Sequence, residues 1–340
     1  MRIDYAPWGE TLSELTAAAT AAEAAGAGVL WLPELHRSAT VAAAAVAPTL
    51  RTAGVGTAVA LAFTRSPMVT ALEALDLDEL ARGRSVLGLG TGARRLIEEW
   101  HGTEWERPVA RLRDTVTAIR AFVAGAHIGA PIAHEGAVRR MRISGYQRPY
   151  PPVRREIPIY LAAVGPQLVR LAGEIADGWL SHELCSPSYL TEVVLPRLDA
   201  GLAKAGRDRS RLEVVASLCC SIADDAVVAR RRAAGTVGFY ASVAGYREFF
   251  AAHGLGAEQD WVIAARKAGV GANRLADSVP DAMIEPLVAA GTPEQVAARI
   301  GKYEGTADVV KLSPAVYGLP PHDIRACQAR LIDLIRELSR

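Results

Sequence analysis

At 340 residues, with 50% hydrophobic and 22% charged side chains, the chain is long enough to bury the core of one α/β barrel. Lys+Arg 38 against Asp+Glu 37 leaves no net field for nucleic acid or an acidic membrane, so the expected partner is a small molecule. Cys185, Cys219, Cys220 and Cys327 show no CxxC spacing, the start has no apolar leader, and the Ala-rich stretch from Thr16 to Ala27 is broken by Glu23. The expectation is a cytoplasmic protein with reduced cysteines and no membrane span.

Strands alternate with helices along the whole chain, the signature of parallel βαβ units. Strands are predicted near Arg2–Tyr5, Val29–Pro33, Gly54–Ala60, Ser85–Leu89, Ile157–Leu161, Gly178–Ser181, Glu213–Ser221 and Asp308–Leu312. Eight such strands close a (β/α)8 TIM barrel, here a single domain over 1–340 with insertions at the C-terminal mouth. Thr11 with Glu14, and Thr292 with Pro293 and Gln295, read as capping boxes that start outer helices. Ala81–Arg84 is a tight turn at the opposite end from the mouth, where residue identity reports stability. Two stretches exceed the repeat. The Gly-, Pro- and Arg-rich excursion near 127–156 suggests a hairpin over the mouth, a lid; the excursion near 223–290 carries more helix than one barrel unit needs.

The strongest local signal is Gly83-Arg84-Ser85-Val86-Leu87-Gly88-Leu89-Gly90-Thr91-Gly92, a buried strand ending in a glycine-rich turn. Exposed backbone N–H groups in such a turn suit a phosphate. The same glycines also arise where the backbone needs positive φ. Metal binding by His127, His134 and Glu135 has irregular spacing against it, and no Gly-x-Ser-x-Gly elbow or HExxH is present.

Several strings in order resemble the luciferase-like superfamily, in its branch of coenzyme F420-dependent oxidoreductases similar to methylenetetrahydromethanopterin reductases. They are Ala24-Ala25-Gly26 leading to Leu30-Trp31-Leu32-Pro33-Glu34, Gly56-Thr57-Ala58-Val59 with Thr64-Arg65-Ser66-Pro67, the glycine loop, Ala162-Ala163-Val164-Gly165-Pro166, Ala176-Asp177-Gly178-Trp179, and Gly291-Thr292-Pro293-Glu294-Gln295-Val296. The resemblance implies a barrel whose mouth holds a deazaflavin or flavin, a homodimer, and hydride transfer at the cofactor ring. It also implies a non-prolyl cis peptide as a bulge in strand three, at Ala58–Val59, against which the ring leans. One departure concerns substrate: the sugar-phosphate dehydrogenases of the family carry an acidic residue directly after Gly-Thr-Gly, where this chain has Ala93.

Within that frame Gly90, Thr91 and Gly92, with Ala163, Val164, Gly165 and Pro166, form the expected phosphate cradle; the alternative is a pair of ordinary strand-to-helix turns. His36 and Glu34, just past the second strand, are the catalytic candidates for moving a proton as hydride is transferred. For His36 the other reading is a surface histidine, and for Glu34 a helix cap. Arg94 and Arg95 could meet an acidic cofactor tail or form a solvated face. His182, after Trp179-Leu180-Ser181, is a candidate for substrate contact. The functional expectation is an F420-dependent oxidoreductase acting on a small organic substrate. The rivals are an FMN-dependent luciferase-like monooxygenase and a cofactor-binding barrel without turnover.

Overall fold

The computed structural model describes residues 1–339. Twelve strands form: β1 Arg2–Tyr5, β2 Val29–Leu32, β3 Gly54–Thr57, β4 Ala60–Leu61, β5 Ser85–Gly90, β6 Ile132–Glu135, β7 Arg140–Ile143, β8 Ile159–Ala162, β9 Gly178–Leu180, β10 Glu213–Ile222, β11 Ala289–Gly291 and β12 Val309–Pro314. Pairing runs β10-β12-β1-β2-β3-β5-β8-β9 and returns from β9 to β10, an 8-stranded closed parallel barrel with surrounding helices; β4 adds to β5 and β11 to β10. All eight predicted barrel strands form. Such strands are buried on both faces and read as near-continuous apolar runs: every residue of β10 after Glu213 is buried. β11, Ala-Ala-Gly, escaped prediction because nothing in those three residues favours a strand.

The described chain divides into two compact units. The first contains Met1–Leu30, Ser181–Arg197 and the chain from Glu213 onward. There the Tyr5 hydroxyl (3.1 Å) and the Trp8 amide (2.9 Å) both donate to Gln328 Oε1, tying the helix Pro321–Leu338 to the N-terminal strand. The Thr292–Gln295 box closes in both directions at the helix Pro293–Gly301. At Thr11 only half of the expected box forms, because the Glu14 carboxylate accepts from the Glu10 amide instead. The insertion after β10 is helical, as expected, beginning with Ala226–Ala241.

The second unit contains Trp31–Leu180 and Leu198–Leu212. Its buried Trp31 packs on Tyr160, ring centroids 5.7 Å apart, and over Gly56, where a Cβ would stand 2.5 Å from the indole. Across the Ala81–Arg84 turn, buried Asp78 accepts from Ser85 Oγ at 2.6 Å and from Arg154 at 2.7 Å. The excursion near 127–156 does carry a hairpin, β6 with β7, but not as a lid. Asp114, within the helix Pro108–Gly125, accepts from the amides of Val138 (2.6 Å) and Arg139 (2.9 Å), and Gly136 packs on the same carboxylate. Connectivity explains the correction. The hairpin links the end of a helix to the start of β8, so it belongs to the N-terminal ends of the strands, not to the mouth.

Candidate functional site

The site begins with β3. Its register against β5 runs Val55 with Ser85 and Gly56 with Val86, then resumes in β4 as Ala60 with Leu89 and Leu61 with Gly90. Three residues, Thr57, Ala58 and Val59, therefore oppose two, a bulge of one extra residue. The Ala58–Val59 peptide within it is cis, where the resemblance put it. Thr57 Oγ1 donates to the Gly88 carbonyl at 2.7 Å and accepts from the Gly88 amide at 3.0 Å, and a Cβ on Gly88 would collide with the Thr57 carbonyl oxygen. Two residues further on, a Cβ on Gly90 would meet Val59 Cγ2 at 2.6 Å. Gly88 and Gly90 thus admit the bulge, a packing role that the phosphate reading missed.

Gly92 differs from both. Its φ of 70° is the left-handed region in which glycine alone is unstrained. Gly165 differs again, with an extended φ of −67° and open space, nothing within 4 Å, where a Cβ would stand. It is the N-cap of the helix Pro166–Ile175, which has no side-chain cap and a proline at its first position. The register pairs Gly90 with Ala162, so both turns leave neighbouring parallel strands at their C-terminal ends. Ala163 is buried and its carbonyl accepts from Trp179 Nε1 at 3.0 Å; Val164, Gly165 and Pro166 are half-buried. An uncapped helix start beside open space fits an anionic group, since the first amides of a helix have no partner within it.

Glu34 and His36 separate chemically. The Glu34 carboxylate accepts from the Leu61 amide at 2.7 Å and from both terminal nitrogens of Arg65, so it is fastened to the segment that follows the bulge. His36 is exposed and makes no hydrogen bond among the described residues. Arg65 was visible in the quoted Thr64–Pro67 string, but nothing local announced its partner. Arg94 and Arg95 bond Glu98 (2.9 Å) and Glu99 (2.7 Å) one turn on, the solvated reading. The adjoining depression of about 360 Å³ carries Glu98, Glu104 and Glu106 beside Arg94, so it offers an acidic tail no cationic surface.

His182 belongs to the first unit and is enclosed there. Its ring lies 4.0 Å from Tyr240, 4.7 Å from Tyr246 and 5.4 Å from Phe249 between centroids. Nδ1 accepts from the Leu184 amide at 3.3 Å, which leaves the proton of the neutral ring on Nε2. Burial, with the charge of Lys311 and His253 adding, pushes its pKa down to about 3. The substrate-contact candidate thus stands in an aromatic shell where burial favours the neutral imidazole. Sequence reasoning missed Lys311, although a lone cation inside Val309-Val310-Lys311-Leu312 was a signal.

The family model described as luciferase-like monooxygenase matches residues 2–308, and the chain belongs to that family. A 5,10-methylenetetrahydromethanopterin reductase of Methanolobus tindarius is 33% identical over 267 residues, covering 76% of this chain and 77% of the relative. An uncharacterized Mycobacterium bovis protein is 38% identical over 209 residues, and the match spans 60% of that relative's length. Among solved structures, the coenzyme F420 dependent tetrahydromethanopterin reductase from Methanopyrus kandleri superposes with a TM-score of 0.82 at 21% identity, covering 99% of this chain and 98% of the other. At that identity the likeness speaks for the fold.

Proposed function

We propose that the chain is an F420-dependent oxidoreductase that passes a hydride between the deazaflavin ring and a small organic substrate. The observation that carries this reading is the mouth of the second unit. There the bulge at Ala58 and Val59, the Gly90-Thr91-Gly92 turn and the uncapped helix start at Gly165 lie at the ends of adjacent strands. The cofactor, when bound, supplies or accepts the hydride. Thr91, Gly92, Gly165 and the amides that follow Pro166 would hold its phosphate, and Ala58 and Val59 would form the floor under its ring. Glu34 is a positioning residue: through Arg65 and the Leu61 amide it fixes the strand that carries the floor. His36, free of protein partners, moves the proton at the substrate. Similarity to a putative coenzyme F420-dependent oxidoreductase of Mycobacterium tuberculosis, 34% identical over 217 residues, favours F420 over FMN. The family description as a monooxygenase keeps FMN as the second reading.

The test is a titration of the purified protein with F420 and with FMN under matched conditions. Tighter binding of F420 supports the reading, and equal or tighter binding of FMN overturns it. With F420 bound, His36→Ala is expected to keep cofactor affinity while single-turnover reoxidation slows about 10²–10⁴-fold. Glu34→Gln is expected to weaken cofactor binding and the chemical step together. An unchanged chemical step in His36→Ala rejects histidine as the proton carrier.

A further inference from the structure

Of the chain's 38 basic residues four are lysines, and Lys204, Lys267 and Lys302 are exposed. Lys311, third in β12, is 5% exposed. Its ammonium has no hydrogen bond and no ion pair within 4 Å among the described residues; burial disfavours its charge, and the charges of Glu183 and Asp4 offset part of that. Removing an ammonium from water costs several kcal/mol, and carboxylates that act on Lys311 only at a distance leave it able to take a directly bonded anionic partner.

The neighbours are polar. Register sets Lys311 beside Asp4 of β1 and Ser217 of β10, and Ser313 follows two residues on in β12. Tyr5 faces the helix Pro321–Leu338 through Gln328, so alternation puts Asp4, Lys311, Ser217 and Ser313 together on the other face of the sheet. Ser217 Oγ, Ser313 Oγ and His182 Nε2 are all buried without a hydrogen-bond partner. The charge of Lys311 lowers the proton affinity of His182, which sets the two in one electrostatic neighbourhood. The nearby carboxylates already have donors: Asp4 accepts from Arg2 at 2.8 Å and the Val29 amide at 3.0 Å, and Glu183 from the Tyr240 hydroxyl at 3.3 Å. What is left is an ammonium, two hydroxyls and an imidazole N–H, four groups able to donate to one anion. Around them Tyr240, Tyr246 and Tyr317 are half-buried, an aromatic wall with some surface still open.

We propose that Lys311, Ser217 and Ser313, with the Nε2–H of His182 beside them, bind the carboxylate of a small ligand whose apolar part packs on Tyr240 and Tyr246. A carboxylate presents about four acceptor sites on two oxygens, which matches the donors available. Every residue named belongs to the first unit, and the assignment is independent of the cofactor reading.

The test is a calorimetric titration of the full chain, without cofactor, with benzoate and with neutral benzamide, in buffers of different ionisation enthalpy. Benzoate is expected to bind saturably and benzamide not. Burial lowers the proton affinity of Lys311 and a bound carboxylate raises it again, so binding is expected to take up protons, more as the pH is raised. Lys311→Met is expected to weaken benzoate about 10- to 100-fold and to abolish the proton uptake. The double variant Ser217→Ala with Ser313→Ala, which removes two unpartnered hydroxyls and should fold normally, is expected to weaken benzoate with the proton uptake retained. Absence of saturable benzoate binding overturns the proposal. So does equal binding of benzamide, or unchanged affinity in Lys311→Met. If Lys311→Met does not fold, unchanged affinity in the serine variant overturns it instead.

Discussion

The mouth of the second unit and the interior of the first are built from opposite materials. In the second unit the shape comes from backbone: a bulged strand pressed against Gly88 and Gly90, a left-handed turn at Gly92 and a bare helix start at Gly165. The half-buried Glu34 carboxylate there is paired with the Leu61 amide and Arg65. In the first unit the shape comes from side chains, with a histidine in an aromatic shell and a buried lysine beside serines whose hydroxyls have no hydrogen-bond partner. A backbone site tolerates few added atoms and recognises groups by dipoles that do not titrate. A side-chain site can change its charge with pH. The contrast suits a fixed anchor in one place and selective recognition in the other.

The largest effect that would break this comparison is at Gly88. Gly88→Ala drives a methyl group into the Thr57 carbonyl on a neighbouring strand, where no side-chain rotation relieves it, and is expected to cost about 3 kcal/mol or more. Urea denaturation measures it, and a loss under about 1 kcal/mol would mean that the bulge is not held by close backbone approach. Next comes the titratable side. The pKa of His182 is depressed to about 3 in the folded protein against an ordinary 6.5, so its contribution is fully present above pH 6.5 and is lost as pH falls toward 3. Between pH 7 and pH 5 the protein is therefore expected to lose about 2 kcal/mol more stability than His182→Phe, at about 1.4 kcal/mol per pKa unit. Parallel curves for the two proteins would place the imidazole in contact with water. The smallest effect sharpens the anchor. Gly165→Ala meets open space at an ordinary φ, so it is expected to raise stability by about 0.4–1 kcal/mol while weakening cofactor binding. Thermal melts and the cofactor titration together read it, and unchanged affinity would remove Gly165 from the cradle.

Much of the second region was legible in sequence and little of the first. Buried parallel strands betray themselves as apolar runs, and Gly90 to Gly92 and Gly165 fall at strand ends whatever the details of packing. The position of the bulge came through the resemblance, and the structure adds its register: three residues facing two. Glu34 was readable as a residue past β2 but not as the partner of Arg65, which lies 31 positions on. The hairpin was readable and its seat on Asp114 was not, because the seat depends on a carboxylate in a helix that ends before the hairpin begins.

The sequence by itself determined the alternation of strands and helices, the closed barrel that this alternation favours, and the glycine turns at its mouth. These follow from periodicity and backbone sterics, which act between near neighbours in the chain. Only the tertiary structure decided which polar groups are satisfied. Asp4, Ser217 and Lys311 stand side by side in three strands far apart in sequence, and the shell around His182 draws on the separate inserted segment that carries Tyr240, Tyr246 and Phe249. Desolvation and hydrogen bonding depend on what lies across a few ångströms of space, and local sequence patterns carry no record of that distance.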